Sequence, residues 1–173
     1  MIDFTKSKQY TLSIRLSTDG FSFSIYNPIH DDSLSIIEKE INASSSLTAN
    51  LKTLFHESDF LNHPYKRVNI MMAGKRFTIA PLELFEEEQA ELLFYHNHQK
   101  KENETVLYNI LRKNNVAVIF GIDKSAQTFL NEQYPEARFY SQSTPFIDYF
   151  SVKSRLGNSK KMYASIRKDG IDI

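Results

Sequence analysis

Residues 10–26 constrain the fold most. Tyr10, Leu12, Ile14 and Leu16 alternate with Thr11, Ser13 and Arg15, which is the period of a strand with one buried face. Ser17-Thr18-Asp19-Gly20 then supplies turn chemistry, with Gly20 free to take a positive φ. Beyond it Phe21, Phe23 and Ile25 alternate with Ser22, Ser24 and Tyr26. The segment is a β-hairpin, ended by Asn27-Pro28. A third strand is expected from Leu34 to Ile41, where Leu34 and Ile36 alternate with Ser33 and Ser35.

The hydrophobic period then changes. Ser44-Ser45-Ser46 offers helix N-caps, and Leu47, Leu51, Leu54 and Phe55 follow at helical spacing. Asn62-His63-Pro64 breaks the chain. Val68 to Met72 is a near-continuous apolar run, the pattern of a strand buried on both faces. Ala73-Gly74-Lys75 turns into a short strand, Phe77 to Ala80. From Pro81 a helix is expected, with Glu86, Glu87 and Glu88 early and His96, His98, Lys100 and Lys101 late, a distribution that suits its dipole. Val106 to Leu111 and Val116 to Phe120 are strands joined by a polar turn at Lys113-Asn114-Asn115. A helix from Ser125 to Tyr134 ends at Pro135, and Arg138 to Ser141 is a short strand. Thr144 is expected to cap a last helix with Pro145 at its first position and Gly157 as its C-cap. Phe146, Ile147 and Phe150 form its apolar face.

Composition narrows the possible functions. A chain of 173 residues with 41% hydrophobic and 24% charged residues is one ordinary globular domain in size and balance. Lys+Arg and Asp+Glu are both 21, whereas a phosphate-binding surface usually tilts that balance, so nucleic acid is not an expected partner. The absence of cysteine removes disulfides, thiolate nucleophiles and Cys-type zinc sites. The N-terminus lacks the apolar run of a signal peptide, and no stretch approaches the ~20 apolar residues of a membrane helix. A cytoplasmic protein without a membrane span is expected. Asn42-Ala43-Ser44 and Asn103-Glu104-Thr105 are then chance matches to a glycosylation triplet.

The two ends of the chain resemble each other. Ser13-Ile14-Arg15 with Asp19-Gly20-Phe21-Ser22-Phe23 is echoed by Ser165-Ile166-Arg167 with Asp169-Gly170-Ile171-Asp172-Ile173. Met162, Ala164 and Ile166 alternate with Tyr163, Ser165 and Arg167, so the last residues form a strand, an Asp-Gly turn and the start of a return strand. Ending there leaves a ladder edge unmatched. The expectation is an internal duplication: residues 1–158 form a first domain, and 159–173 start a truncated second copy.

A hairpin, a third strand, a helix, then alternating strands and helices is the order of the ribonuclease H-like fold, and two such domains in tandem make the actin-like ATPase fold. Tyr10 to Leu16, the Asp19-Gly20 turn, Val68 to Gly74 and the restart at Met162 to Ile173 carry the likeness. The chain resembles the N-terminal domain of domain of unknown function family 3822, a bacterial family with an actin-like fold. That resemblance implies an α/β domain, a mixed sheet opened by a β-hairpin with helices on its faces. It implies no established activity.

Against that fold the chemistry is sparse. Actin-like ATPases carry an Asp-x-Gly-Ser/Thr motif in the first hairpin, where amides and hydroxyls hold phosphate and the acid organises the metal. Here Asp19 and Gly20 are adjacent and Phe21 follows, so turn chemistry explains them better. If ATP and Mg bind, Asp19 and Gly20 are the cofactor-binding candidates. No Walker-type run exists, and all five glycines have turn or cap explanations. A nuclease needs converging carboxylates; Tyr10 to Leu16 and Val68 to Met72 contain none, Asp31 and Asp32 fall on a loop, and Asp123 follows a strand alone. His96-Asn97-His98 does not share one helix face, and His30, His56 and His63 make no triad. Glu86, Glu87, Glu88 and Glu91 are a solvated helix face. Neither catalytic nor metal-binding residues are assigned. Tyr134, Phe139, Tyr140 and Tyr149 gather in the C-terminal third, where they are positioned to meet a partner or a C-terminal half. The expected function is a non-enzymatic structural or interaction module whose partner is another protein or that C-terminal half. The alternative is an ATP-binding actin-like protein completed by the same half.

Overall fold

In the computed structural model, residues 2–28, 33–155, 160–167 and 170–172 are described. A 3-10 turn at Phe4–Gln9, not foreseen from the sequence, leads into β1 (Thr11–Ser17) and β2 (Gly20–Asn27). They pair antiparallel from Thr11 opposite Tyr26 to Ser17 opposite Gly20. β3 (Ser33–Lys39) pairs antiparallel with β2, stopping two residues short of the expected Ile41. β4 (Arg67–Met72) and β8 (Arg138–Ser141) add in parallel on the other side, giving the order β3-β2-β1-β4-β8. The result is the expected mixed sheet opened by a hairpin.

One face of this sheet is covered by α1 (Leu47–Glu57) and α3 (Lys124–Gln133). Ser46 caps α1 by accepting a hydrogen bond from the Ala49 amide at 3.1 Å, as the serine cluster predicts. Leu12, Ile14, Leu16, Phe21, Phe23, Ile25, Val68 and Ile70 point to these helices and pack with Leu51, Leu54, Phe55, Ala126 and Leu130 in the main core. The core is the apolar phase of the alternation that defined the hairpin.

β4 departs from expectation. Only Val68 and Ile70 are buried; Asn69 and Met71, on the opposite face, are half-buried. The run Val68 to Met72 looks continuous because Met71 is apolar, yet the face it occupies is only partly covered.

Between β4 and α3 the chain builds a second sheet. β5 (Phe77–Pro81), β6 (Glu104–Leu111) and β7 (Val116–Asp123) are antiparallel in the order β5-β7-β6, with α2 (Ala90–Asn97) packed against them. The expected simple alternation of strands and helices is thus interrupted by an inserted unit. Its helix begins later than expected. Pro81 ends β5, two 3-10 turns follow at Leu82–Leu84 and Glu87–Gln89, and α-helix starts only at Ala90. The β6–β7 turn is as expected, with Asn115 left-handed at φ 54°.

α4 (Ser143–Ser154) lies on the face of the first sheet away from α1 and α3, over β8 and β6. It begins at Ser143, one residue before the expected cap. Thr144 is buried within its first turn and donates its hydroxyl to Asn109 Oδ1 at 2.7 Å. The side chain is recruited by the inserted sheet instead of capping its own helix. β9 (Ser165–Arg167) and β10 (Gly170–Asp172) form a short antiparallel hairpin. Gly157, Asp31, Asp32 and Asp169 lie outside the described residues. No described helix is long and apolar enough to cross a membrane.

Candidate functional site

β1 and β4 are parallel, so their carboxyl ends lie together, the end at which open α/β sheets bind ligands. The hairpin tip Thr18-Asp19 stands there. Arg15 Nη1 donates to Asp19 Oδ1 at 3.5 Å, and Arg15 Nε to Gln142 Oε1 at 3.4 Å. The Ser17 hydroxyl, and then the Arg15 guanidinium, hold the Asp19 carboxyl below its ordinary value against the opposing effect of partial burial. Gln142 is itself buried, and its backbone N–H donates to the Met72 carbonyl at 2.8 Å. Asp19 therefore already has partners for its charge.

Gly20 is held by geometry. Its φ is 146°, and a Cβ there would stand 3.0 Å from the Lys39 carbonyl oxygen of β3. A close approach of strands explains the glycine without a phosphate. The tip also borders a cavity of about 350 Å³ lined by Ser17, Thr18, Asn42, Ser45 and Asn50. Asn50 occupies itself with the local loop, accepting from the Asn42 amide at 2.7 Å and donating to the Asn42 and Ser46 carbonyls at 3.0 Å.

A larger groove of about 580 Å³ runs over the face of the first sheet that α1 and α3 leave open. Ser13, Ser22, Ser24 and Asn69 make its floor. Ile36 lies on one side, Pro145 and Asp148 of α4 on the other, with Arg15 and Arg67 toward opposite ends of β1 and β4. These residues are the polar phase of the same alternation that built the core. The sequence holds that information, but alternation marks outward residues without saying whether a helix covers them. The groove pairs small hydroxyls with guanidiniums and with the Asp148 carboxylate.

The remaining sequence candidates have structural employment. Asp123 ends β7 and caps α3, accepting from the Ala126 amide at 2.8 Å, with Asn103 Nδ2 donating to its other oxygen at 2.8 Å. His98 follows α2, packs at a tilt against the Phe94 ring and places Nε2 3.1 Å from the Phe77 carbonyl, while His96 is exposed. Among the described residues no group of three or more His, Asp or Glu could hold a metal ion. The four C-terminal aromatics do not act together. Tyr134 and Phe139 pack against the main core, Tyr140 lines the groove, and Tyr149 is 57% exposed on α4.

Known proteins place this arrangement. The family model described as protein of unknown function (DUF3822) matches residues 1–173. A crystal structure of a protein from Bacteroides thetaiotaomicron VPI-5482, described as having an actin-like ATPase fold and unknown function, superposes with a TM-score of 0.94 at 80% sequence identity. The match covers 99% of this chain and 67% of that one. No curated protein matches.

Proposed function

We propose that this chain, which belongs to the DUF3822 family and has an actin-like ATPase fold, is a non-enzymatic structural or interaction module. The observation that carries the reading is the open face of the first sheet. Its groove is bounded by the exposed Ile36 and by Arg67, an apolar and a cationic group on the same open face. Under this reading the occupant is a protein surface rather than nucleic acid, and the setting is cytoplasmic. Residues 159–173 start a second copy of the domain. In support, each segment is an antiparallel hairpin whose sequence carries an Asp-Gly pair at its turn, although the stretch Arg167–Gly170 is two residues shorter than Arg15–Gly20.

A second reading is favoured by one observation, the position of Asp19 and Gly20 at the carboxyl end of β1 beside a cavity. There ATP with Mg would need Asp19 to exchange Arg15 and Ser17 for a hydrated metal, and further phosphate loops from outside these residues.

Thermal unfolding of the full chain with and without millimolar Mg-ATP separates the two. Nucleotide at 100 times its dissociation constant adds about 2.7 kcal/mol of stability. That is a rise in Tm of roughly 5–10 °C for a domain of this size. An unchanged Tm is expected; a clear rise would replace the module reading with the nucleotide reading.

A further inference from the structure

The strand registers order the open face into rows. Leu34, Tyr26, Thr11 and Arg67 stand side by side across β3, β2, β1 and β4, and Ile36, Ser24, Ser13, Asn69 and Arg138 form the next row, ending on β8. The face is therefore apolar at the β3 edge, small and hydroxylic in the middle, and cationic across β4 and β8. Leu34 and Ile36 are 57% and 65% exposed. Arg67 and Arg138 are exposed and make no ion pair among the described residues. An occupant needs leucine-like side chains and carboxylates together.

The inserted unit carries that combination. From Leu82 to Phe94 the chain has five glutamates and no lysine or arginine. Leu84 and Leu92 are 72% and 70% exposed within it. Leu92 and His96 fall on one stripe of α2, with Glu91 beside it and Glu88 in the 3-10 turn just before. The glutamates Glu83, Glu86, Glu87, Glu88 and Glu91 are all exposed. Exposed leucines ringed by acids are a poor solvent surface and a good contact for an apolar face rimmed by arginine. Net neutrality hides this separation of charge.

We propose that copies of this chain associate head to tail, the acidic segment 83–92 of one copy seated on the open sheet face of the next. Leu84 and Leu92 meet Leu34 and Ile36, and the glutamates face Arg67 and Arg138. Glu38 on β3, Asp148 on α4 and Glu136 beside Arg67 and Arg138 are the acids near the face, and they set the limits of the contact by repulsion. Head to tail, the contact is heterologous and extends beyond a dimer into rings or open chains. It weakens with salt. The inference rests on the interaction-module reading.

The test is sedimentation equilibrium of the full chain at low and high salt, without nucleotide, with two charge-reversed variants. One is R67E/R138E, the other E88K/E91K; all four positions are exposed, and circular dichroism checks that each variant is folded. The expected result is a mass that rises with concentration for the native chain. Each variant alone is monomeric, and an equimolar mixture associates, because it pairs the native insert of the first with the native face of the second. A native chain that stays monomeric overturns the proposal. So does a mass that stops at a dimer, a loss confined to one variant, or a mixture that stays monomeric. None of these outcomes bears on Mg-ATP binding, so absent association removes only the second copy as occupant, and the module reading stands or falls on its own test.

Discussion

The side-chain amide of Asn109 closes the edge of the first sheet at Ser141. Its Oδ1 accepts from the Ser141 amide at 3.0 Å and its Nδ2 donates to the Phe139 carbonyl at 2.9 Å, as a neighbouring strand would do. The Thr144 hydroxyl donates a second bond to the same Oδ1. A residue of β6 thus fastens the inserted sheet to β8 and to the start of α4. Asn109→Ala leaves these buried groups unpaired and is expected to cost about 2 kcal/mol. That corresponds to a Tm lower by roughly 4–8 °C. Asn109→Asp keeps the acceptor but turns a carboxylate oxygen toward the Phe139 carbonyl, and should fare no better. Native Tm in both variants would show that the bridge contributes nothing.

Inside the inserted unit, Gly121 leaves room for an ion pair. Arg76 donates from Nε and Nη2 to Glu104 at 2.8 and 2.7 Å and from Nη2 to the Gln99 carbonyl at 2.8 Å, with its guanidinium 5.4 Å from the Phe94 ring centre. The Glu104 side chain is only 5% exposed. A Cβ at Gly121 would collide with the Glu104 carboxylate, which the bidentate bond prevents from swinging away. Gly121→Ala should therefore cost about 1–3 kcal/mol, the range of an overpacked site. Gly74→Ala, where no atom lies within 4 Å, should be close to neutral. Chemical denaturation of the two variants side by side checks the contrast.

The parts of the fold that follow from local chemistry were legible. The hairpin at 11–27, the Ser46 cap of α1 and the polar turn at Lys113-Asn114-Asn115 each depend on residues close in sequence. What the chain order concealed was partition between sheets. β6 and β7 show the same apolar alternation whichever sheet they join, and the bond that joins them to the first, at Asn109, spans 32 residues to Ser141. The acidic run displaced the start of α2 because Glu86 to Glu88 suit a helix N-terminus equally well as 3-10 turn. At the candidate site, Asp19 and Gly20 were visible as turn residues, and their geometry matches that reading. Arg15, Gln142 and Arg67 went unremarked, since an outward polar residue on a strand carries no mark of the groove it borders.

Two tyrosines should resist alkaline titration. Burial pushes the Tyr65 hydroxyl up to about 12 and raises Tyr134 still further, and both donate to backbone carbonyls, of Phe60 and Leu61. Their folded values lie above the ordinary tyrosine value of about 10. The stability they contribute is then fully present below about pH 10 and is lost as the pH climbs toward and past 12. Absorbance titration near 295 nm should show two of the nine tyrosines ionising only as the chain unfolds. Tyr65→Phe should move the alkaline unfolding midpoint upward. An unmoved midpoint would mean that Tyr65 ionises in the folded chain.

Asp19 gives the opposite dependence. Its carboxyl is held low by Ser17 and Arg15, so its contribution is complete above the unfolded value of about 4 and disappears as the pH falls through the lower folded value. Asp19→Asn should be less stable than the native chain by a constant amount from pH 7 down to about 5, and the difference should shrink as the pH falls below the ordinary carboxylate value of about 4. Gly20→Ala should behave differently. Its cost comes from forcing a side chain to φ 146° against the Lys39 carbonyl, so it should be independent of pH. Urea unfolding at several pH values separates the two. If the Asp19→Asn difference persists unchanged at pH 2.5, the Asp19 carboxylate is not what braces the hairpin tip, and its bonds to Arg15 and Ser17 are available to be exchanged for a ligand.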